Sequence, residues 1–445
     1  MSKPVREVAL DVLLQIEKNQ AYSNLLLNQT VNRANLDPRD VGLLTEIVYG
    51  TIQRKSTLDF YLQAFVKKGV DSLQDWVKVL LRLSVYQFVY LDRVPERAVV
   101  HEAVTIAKKR GHKGISGMIN GVLRSILREG LPSIDDVGDK MQKLALETSF
   151  PAWILERWIH QYGFEETKAM CLSSLTPPSV TVRVNQVKAT VDEVLELLRE
   201  EGLDVNRGEL SPDAIVVEKG NIFQTNTYKQ GYVTAQDESS MLVGRAVGAT
   251  PGMRVADTCA APGGKSTHIA EQMDDTGTVL SFDLHDHKVK LIHEQANRLG
   301  LTCIMAEAMD ARKIHEKVVQ PFDRVLVDAP CSGFGVIRRK PDIKWSKREQ
   351  DIKAIKKIQL EILHSVAPFV KSGGTLIYST CTVDKDENEE SVAAFLAEHP
   401  EFQLDKTLRD RLPEKVVGRY REGMITILPQ DFQTDGFFIA SLIKQ

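Results

Sequence analysis

The chain has 445 residues, 43% hydrophobic and 26% charged, with a net charge of −3. These proportions exclude a disordered or fibrous chain, and the length exceeds one ordinary core, so several domains are expected. No apolar run reaches the ~20 residues that span a bilayer, and the start lacks the apolar core of a signal peptide, so a cytoplasmic protein without a membrane partner is expected.

From Arg6 to Glu129 the apolar residues recur at helical spacing: Leu10, Leu13, Leu14 and Ile16, then Leu43, Leu44, Ile47 and Val48. Val77, Leu80, Leu81, Leu83, Val85, Phe88 and Val89 predict a helix apolar on most sides, at the centre of a bundle. Helices follow at Ala98–Lys109 and Gly114–Leu127, and no strand pattern interrupts them. Residues 1–130 carry 19 Lys+Arg against 13 Asp+Glu, while the remainder is acidic, so this all-α part is the one suited to a polyanion. Its segments Arg6–Leu13, Tyr49-Gly50-Thr51 and Gly117–Arg124 resemble the NusB family of RNA-binding antitermination factors. The resemblance implies RNA contact, with Lys108, Lys109, Arg110 and Lys113 as one contact surface. A solvated basic loop is the alternative.

Pro132 and Pro151 bracket a boundary. Trp153, Ile154, Trp158 and Ile159 then share a helical face, and a second short helix runs to Leu175. Val180–Val184 alternates as a strand, Val191–Glu201 is an amphipathic helix, and Ala214–Val217 is another strand. This unit resembles the small RRM-like α+β domain that precedes the catalytic domain in RNA cytosine methyltransferases. It carries no aromatic pair for stacking bases, so a structural spacer is as good a reading as a base-reading surface. The expected domains are residues 1–130, 131–230 and 231–445.

In the last of these, strands are predicted at Met253–Asp257, Thr278–Asp283, Thr302–Ala306, Arg324–Asp328 and Thr375–Ser379, with Phe437–Leu442 closing the sheet. Helices fall between them, notably Asp286–Leu299 and Gln350–Val370. Such alternation predicts a doubly wound, Rossmann-like α/β sheet whose ligands bind at the carboxyl ends of the strands. The first strand runs into Asp257-Thr258-Cys259-Ala260-Ala261-Pro262-Gly263-Gly264-Lys265, small residues that let a ligand approach a helix amino terminus. This is neither a dinucleotide fingerprint nor a P-loop. Asp283 ends the second strand, placed for ribose hydroxyls, and Asp310 follows the third, placed for an adenine amino group. Asp257–Lys265 resembles the S-adenosylmethionine loop of the RNA 5-methylcytosine methyltransferases, which are class I enzymes.

Cys171, Cys259, Cys303, Cys331 and Cys381 are odd in number and scattered, without the spacing of a disulfide framework or a zinc site. No metal is expected. Two of these thiols end successive predicted strands, in Asp328-Ala329-Pro330-Cys331 and Ser379-Thr380-Cys381-Thr382. Cytosine C5 is too weak a nucleophile for a methyl sulfonium until a thiolate adds at C6, and a base must later remove the C5 proton. Pro330-Cys331 alone is what a DNA cytosine-5 methyltransferase would use; Thr380-Cys381 is what resembles the RNA enzymes. In that family the later cysteine attacks, which implies Cys381 as nucleophile, Cys331 as release thiol and Asp328 as the acid near N3. Lys265 is expected beside Asp328. Gln236–Ser240 also matches the pattern and is expected beside the cofactor, with Asn388 and Glu389 as support. Nine Lys/Arg against three acids between Arg338 and Lys357, around Trp345, suggest a phosphate grip for an extruded base.

The three-part combination resembles the RsmB (Sun/Fmu) family of bacterial rRNA cytosine-5 methyltransferases. It implies S-adenosyl-L-methionine as cofactor and a specific cytosine of 16S rRNA, free or in early assembly, as substrate for a monomer, with no DNA partner. The alternatives are a tRNA or other rRNA cytosine, or a non-catalytic RNA-binding assembly factor.

Overall fold

Hydrophobic periodicity decides the amino-terminal third. In the computed structural model, which describes residues 3–19, 23–34 and 37–445, helices run Val5–Asn19, Ser23–Ala34, Pro38–Gln53, Lys55–Gln63, Asp75–Tyr90, Glu96–Arg110 and Lys113–Glu129. Asp75–Tyr90 buries Val77, Leu80, Leu81, Leu83 and Val85 on several faces, as its pattern predicts. It also buries Arg82, whose guanidinium meets both oxygens of Asp59 at 2.6 and 2.8 Å and Glu17 at 2.7 Å. Helices Lys140–Thr148, Ala152–Tyr162 and Phe164–Ser173 follow. The chain folds as two units, Met1–Leu175 with Ile337–Lys347, and Thr176–Val336 with Arg348–Gln445. Eleven residues far along the sequence therefore belong to the helical unit.

The second unit holds two sheets. The smaller contains β1 (Val180–Val184), β2 (Asp204–Arg207), β3 (Ala214–Lys219) and β4 (Val233–Ala235), in the order β2-β3-β1-β4, all neighbours antiparallel. Helix Val191–Glu200 opens with a capping box between Thr190 and Glu193 and buries Val191, Val194, Leu195 and Leu198. Strand β2 escapes prediction because a single residue, Val205, is buried along it.

The larger sheet contains β5 (Arg254–Asp257), β6 (Thr278–Asp283), β7 (Ile304–Ala308), β8 (Phe322–Asp328), β9 (Val370–Thr380), β10 (Phe402–Leu404), β11 (Tyr420–Arg421), β12 (Met424–Ile427) and β13 (Phe437–Lys444). Its order is β11-β12-β13-β9-β8-β5-β6-β7, with β10 on β13. Strands β5 to β9 are parallel and β13 runs antiparallel to β9. The chain builds outward from β5 through β6 and β7, then returns to place β8 on the other side of β5. The topological switch, and the cleft it opens, thus lie at the carboxyl ends of β5 and β8.

Several boundaries differ from the sequence reading, and two of them have a visible cause. The third strand starts at Ile304 rather than Thr302, because the Asp275 carboxylate takes the backbone N–H groups of Thr302 and Cys303 at 2.8 and 2.9 Å. The long helix Glu349–Val366 stops short of Val370, since Pro368 turns the chain into a 3-10 segment and Val370 opens β9.

Candidate active site

Strand β5 delivers Asp257 to a turn that leads into helix Gly264–Gln272. Asp257 is buried; one oxygen accepts from Ser266 Oγ at 2.7 Å and the other has no partner. Burial pushes its carboxyl up to about 7. Along the turn, Ala260 N–H donates to Phe282 O at 2.8 Å, and Ala261 N–H to the Asp283 carboxylate at 3.2 Å. The Ala261–Pro262 peptide is cis. Gly263 has φ +105°, and a Cβ there would stand 3.2 Å from the backbone of Ile292, so glycine is required. Burial, then Asp257 and Asp328, push the Cys259 thiol up, which keeps it protonated and poorly nucleophilic.

At the neighbouring ends, Met309 N–H donates to Asp283 O at 2.9 Å and ties β7 to β6. Asp310 caps the segment Ala311–Glu316 through Arg312 N–H at 3.0 Å and meets the Arg312 guanidinium at 2.7 Å. A ligand contact by Asp310 would share an already engaged carboxylate. Leu284, directly after Asp283, is 56% exposed, a large apolar side chain at the rim.

Strands β8 and β9 are adjacent and parallel, with Asp328 opposite Ser379. The turns that follow bring Cys331 Sγ within 3.3 Å of Cys381 Sγ. Beside them Asp328 takes Lys265 Nζ on one oxygen at 2.7 Å and Ser379 Oγ on the other at 2.8 Å. Burial alone would lower the Lys265 ammonium, but Asp328 and then Cys381 hold it up, so it stays charged. Its Nζ also lies 5.0 Å from the centre of the Phe437 ring. Cys331 is held well above the usual thiol range by its hydrogen bond with Cys381, by burial and by nearby negative charge.

Support comes from residues downstream. Asn388 Oδ1 accepts from Thr380 Oγ1 at 2.6 Å, and its amide donates to Thr382 O at 3.0 Å. Glu389 accepts from Thr426 Oγ1 at 3.0 Å. Gly335 N–H donates to Cys381 O at 2.9 Å, and a Cβ on Gly335 would fall 2.0 Å from Gly436 O. Glu387 is the site residue that pattern reading missed. It is fully buried, and one oxygen accepts from Ser332 N–H at 2.9 Å and Gln359 Nε2 at 3.0 Å. Gln236 lies 3.9 Å from the position of a Cβ on Gly264, beside the cofactor turn. Glu238 turns away to accept from the backbone N–H groups of Leu210 and Ser211, each at 2.7 Å.

Comparison with known proteins gives the family. Residues 247–443 match the family model described as 16S rRNA methyltransferase RsmB/F, residues 3–128 the NusB family, and residues 150–223 an RsmF/B-like ferredoxin-like domain. The chain is 54% identical over 442 residues, 99% of each chain, to the "Probable ribosomal RNA small subunit methyltransferase B" of Bacillus subtilis (strain 168). The chain belongs to the RsmB family. It is an S-adenosylmethionine-dependent methyltransferase of small-subunit ribosomal RNA, with a helical NusB domain, a ferredoxin-like middle domain and an α/β methyltransferase domain. It is 33% identical to ribosomal RNA small subunit methyltransferase B of Proteus mirabilis, over 92% of each chain. The solved structure of PH0851 covers all of both chains with a TM-score of 0.83 at 28% identity. The structure of NSun6 from Pyrococcus horikoshii with SFG shares the fold over 67% of this chain and 99% of that one, with a TM-score of 0.60 at 21% identity.

In this RsmB family member the basic run after Cys331 is not one exposed phosphate grip. Lys344 is fully buried, and its Nζ donates to Gln53 O at 2.8 Å. Trp345 Nε1 donates to Ile52 O at 2.8 Å, and Arg338, also buried, donates to Ser173 Oγ at 2.5 Å. These side chains pack into the helical unit, to which Ile337–Lys347 belongs. Only the later part, with Lys353 and Lys357, faces solvent. The basic group on the helical domain is likewise divided. Lys109 pairs with Glu7 at 2.9 Å and Arg110 with Asp11, whereas Lys108 and Lys113 are exposed. Among the described residues no cluster of His, Cys, Asp or Glu could hold a metal ion, and no helix is long and apolar enough to cross a membrane.

Proposed function

We propose that this enzyme methylates C5 of one cytosine in 16S rRNA, acting as a monomer on free or early-assembly RNA, with the base held covalently by Cys381. The observation that carries the reading is the pair of sulfurs 3.3 Å apart at the ends of adjacent parallel strands, beside the Lys265–Asp328 ion pair.

The residues present fit S-adenosyl-L-methionine. The turn Cys259–Lys265 offers backbone at a helix amino terminus, Asp283 offers a carboxylate for the ribose hydroxyls, and exposed Leu284 offers an apolar face beside it for a flat ring. Asp310 stands at the next strand end for the purine edge. When bound, the cofactor supplies a methyl group on a positively charged sulfur.

The target cytosine leaves its stack and enters the cleft. Cys381 thiolate adds to C6, forming the C–S bond and moving the ring electrons towards C5 and N3. Asp328, backed by Lys265, faces the N3 edge and accepts the hydrogen bond of a proton that N3 takes from solvent as the ring becomes electron-rich. C5 then takes the methyl group. With the Cys381 sulfur bonded to C6, the contact that keeps Cys331 protonated is gone, and Cys331 gives its proton to solvent. As thiolate it then removes the C5 proton, the C5–H pair restores the C5–C6 double bond, the C6–S pair returns to Cys381, and N3 returns its proton to solvent. Cys331 is left as a thiol, as it began.

Incubation with 16S rRNA fragments containing 5-fluorocytosine tests this. With fluorine in place of the C5 hydrogen, release is blocked, so a denaturation-resistant adduct is expected, and Cys381→Ser should abolish it. Cys331→Ala should accumulate adduct on unmodified RNA. An adduct that needs Cys331 and survives Cys381→Ser would sink the assignment. Bisulfite mapping of rRNA from a deletion strain identifies the nucleotide, and methylation confined to tRNA would move the substrate.

A further inference from the structure

Cys331 is held from both sides by one small network. Gln359 Nε2, from helix Glu349–Val366, donates to Pro330 O and to the Glu387 carboxylate, each at 3.0 Å. The same Glu387 oxygen accepts from Ser332 N–H at 2.9 Å, so the residues before and after Cys331 are tied to one carboxylate and one amide. Tyr378 Oη donates to Glu387 O at 2.6 Å, which fixes the backbone that carries the carboxylate. Ser332 Oγ lies 2.7 Å from Thr382 Oγ1, joining the Cys331 turn to the Cys381 turn a second time. Glu387, Gln359, Ser332 and Thr382 are all buried.

A carboxylate is an expensive group to bury for one backbone turn. Its other oxygen has no hydrogen-bond partner, and burial pushes the carboxyl up to about 7. An apolar residue would fill the same space without that cost, but could not hold Ser332 N–H and Gln359 together. The network bears first on Cys331, whose direct neighbours Pro330 and Ser332 it holds; Cys381 is placed by β9 and by the Gly335 and Asn388 contacts, and shares only the Ser332–Thr382 link.

We infer that Glu387, with Gln359, is a positioning residue for the release thiol: it holds Cys331 over the reaction centre and acts on elimination rather than on attack or methyl transfer. The inference rests on the two-thiol reading above. A thiol displaced by an ångström loses its line to the C5 proton, whereas Cys381 keeps its own line to C6.

The test separates the first turnover from the steady state, using labelled S-adenosylmethionine and unmodified 16S rRNA fragment. Glu387→Ala is expected to keep first-turnover methyl transfer within about threefold of the parent, while steady-state turnover falls at least about tenfold. Enzyme–RNA adduct should accumulate, as with Cys331→Ala. Glu387→Gln retains an acceptor oxygen for Ser332 N–H and Gln359, and is expected to restore most turnover. Gln359→Leu, on a different element, should show the same imbalance more weakly. Equal loss in first turnover and steady state without adduct, or a Glu387→Gln variant no better than alanine, would overturn the inference. Failure of Cys331→Ala itself to accumulate adduct would remove the two-thiol reading, and this inference with it.

Discussion

Two lysines with little exposed surface make opposite use of the same side chain. Lys265 and Lys344 each place Nζ within 2.8 Å of an oxygen. The oxygen of Lys265 belongs to the Asp328 carboxylate, and although burial works against the charge, that partner holds the ammonium up. The oxygens near Lys344 are backbone carbonyls, Gln53 O at 2.8 Å and Thr148 O at 3.5 Å, with the Phe150 ring centre 4.5 Å away. Burial pulls it well below the usual lysine range; Cys171 opposes the shift and Arg54 adds to it. Gln53 and Thr148 are the last residues of their helices, where carbonyls lack intrahelical partners. Lys344 is thus a donor that closes helix ends, and Lys265 a charge kept at a reaction centre. Lys265 keeps 14% of its side chain exposed and Lys344 none, but it is the partner that sets the direction of the shift.

A third buried cation sharpens the contrast, because it combines a carboxylate partner with a structural position. Arg183 on β1 has no exposed surface and meets both oxygens of buried Glu271 at 2.8 Å. It also donates to Gly264 O at 2.7 Å, at the start of the helix after the cofactor turn. Arg183→Met leaves buried Glu271 without its counter-charge, so the largest loss is expected here, about 3–5 kcal/mol in urea unfolding. A loss under about 1 kcal/mol would mean that burial, rather than the partner, decides these sites. Next is Lys265→Met, which strips Asp328 of its counter-charge at the base edge. First-turnover methyl transfer should fall about 10²–10³-fold, with the urea midpoint moving far less than for Arg183→Met. Unchanged transfer would place Lys265 with the structural cations.

The sequence alone could not have distinguished these lysines. Lys344 and Arg338 sit in the same basic run as Lys353 and Lys357, and charge counting treats all four alike. Which of them is buried depends on Ile337–Lys347 joining a unit whose other residues lie more than 160 positions earlier. Lys265 and Asp328 were legible because each ends or follows a strand with clear apolar character, and parallel strands bring their carboxyl ends together. The two thiols were legible for the same reason, aided by family resemblance. Glu387 was not, since it is one of five acids between Asp384 and Glu390, and only the tertiary fold turns it inward. Short strands such as β2 and β11 lack enough buried residues to leave a period in the sequence.

The smallest effect probes Lys344 directly. Lys344→Met replaces the amine with an apolar chain of similar length, so above about pH 10.4, where the amine is neutral folded and unfolded, the stability should move by only about 1 kcal/mol, the worth of the hydrogen bond to Gln53. The informative measurement is how that difference changes with pH. The unfolded chain binds a proton at Lys344 up to about pH 10.4. In the fold the pKa is lowered, so between the two values the unfolded state holds more protons than the native one. Stability contributed by this residue therefore rises with pH across that window and is lost as pH falls towards the folded value. The parent should gain on Lys344→Met between pH 8 and pH 10, by at most about 1.4 kcal/mol per pH unit. Other lysines and tyrosines titrate in both proteins and cancel in the difference. A parent-minus-variant difference that stays flat from pH 8 to pH 10 would show an ammonium held without a carboxylate, and would dissolve the contrast with Lys265.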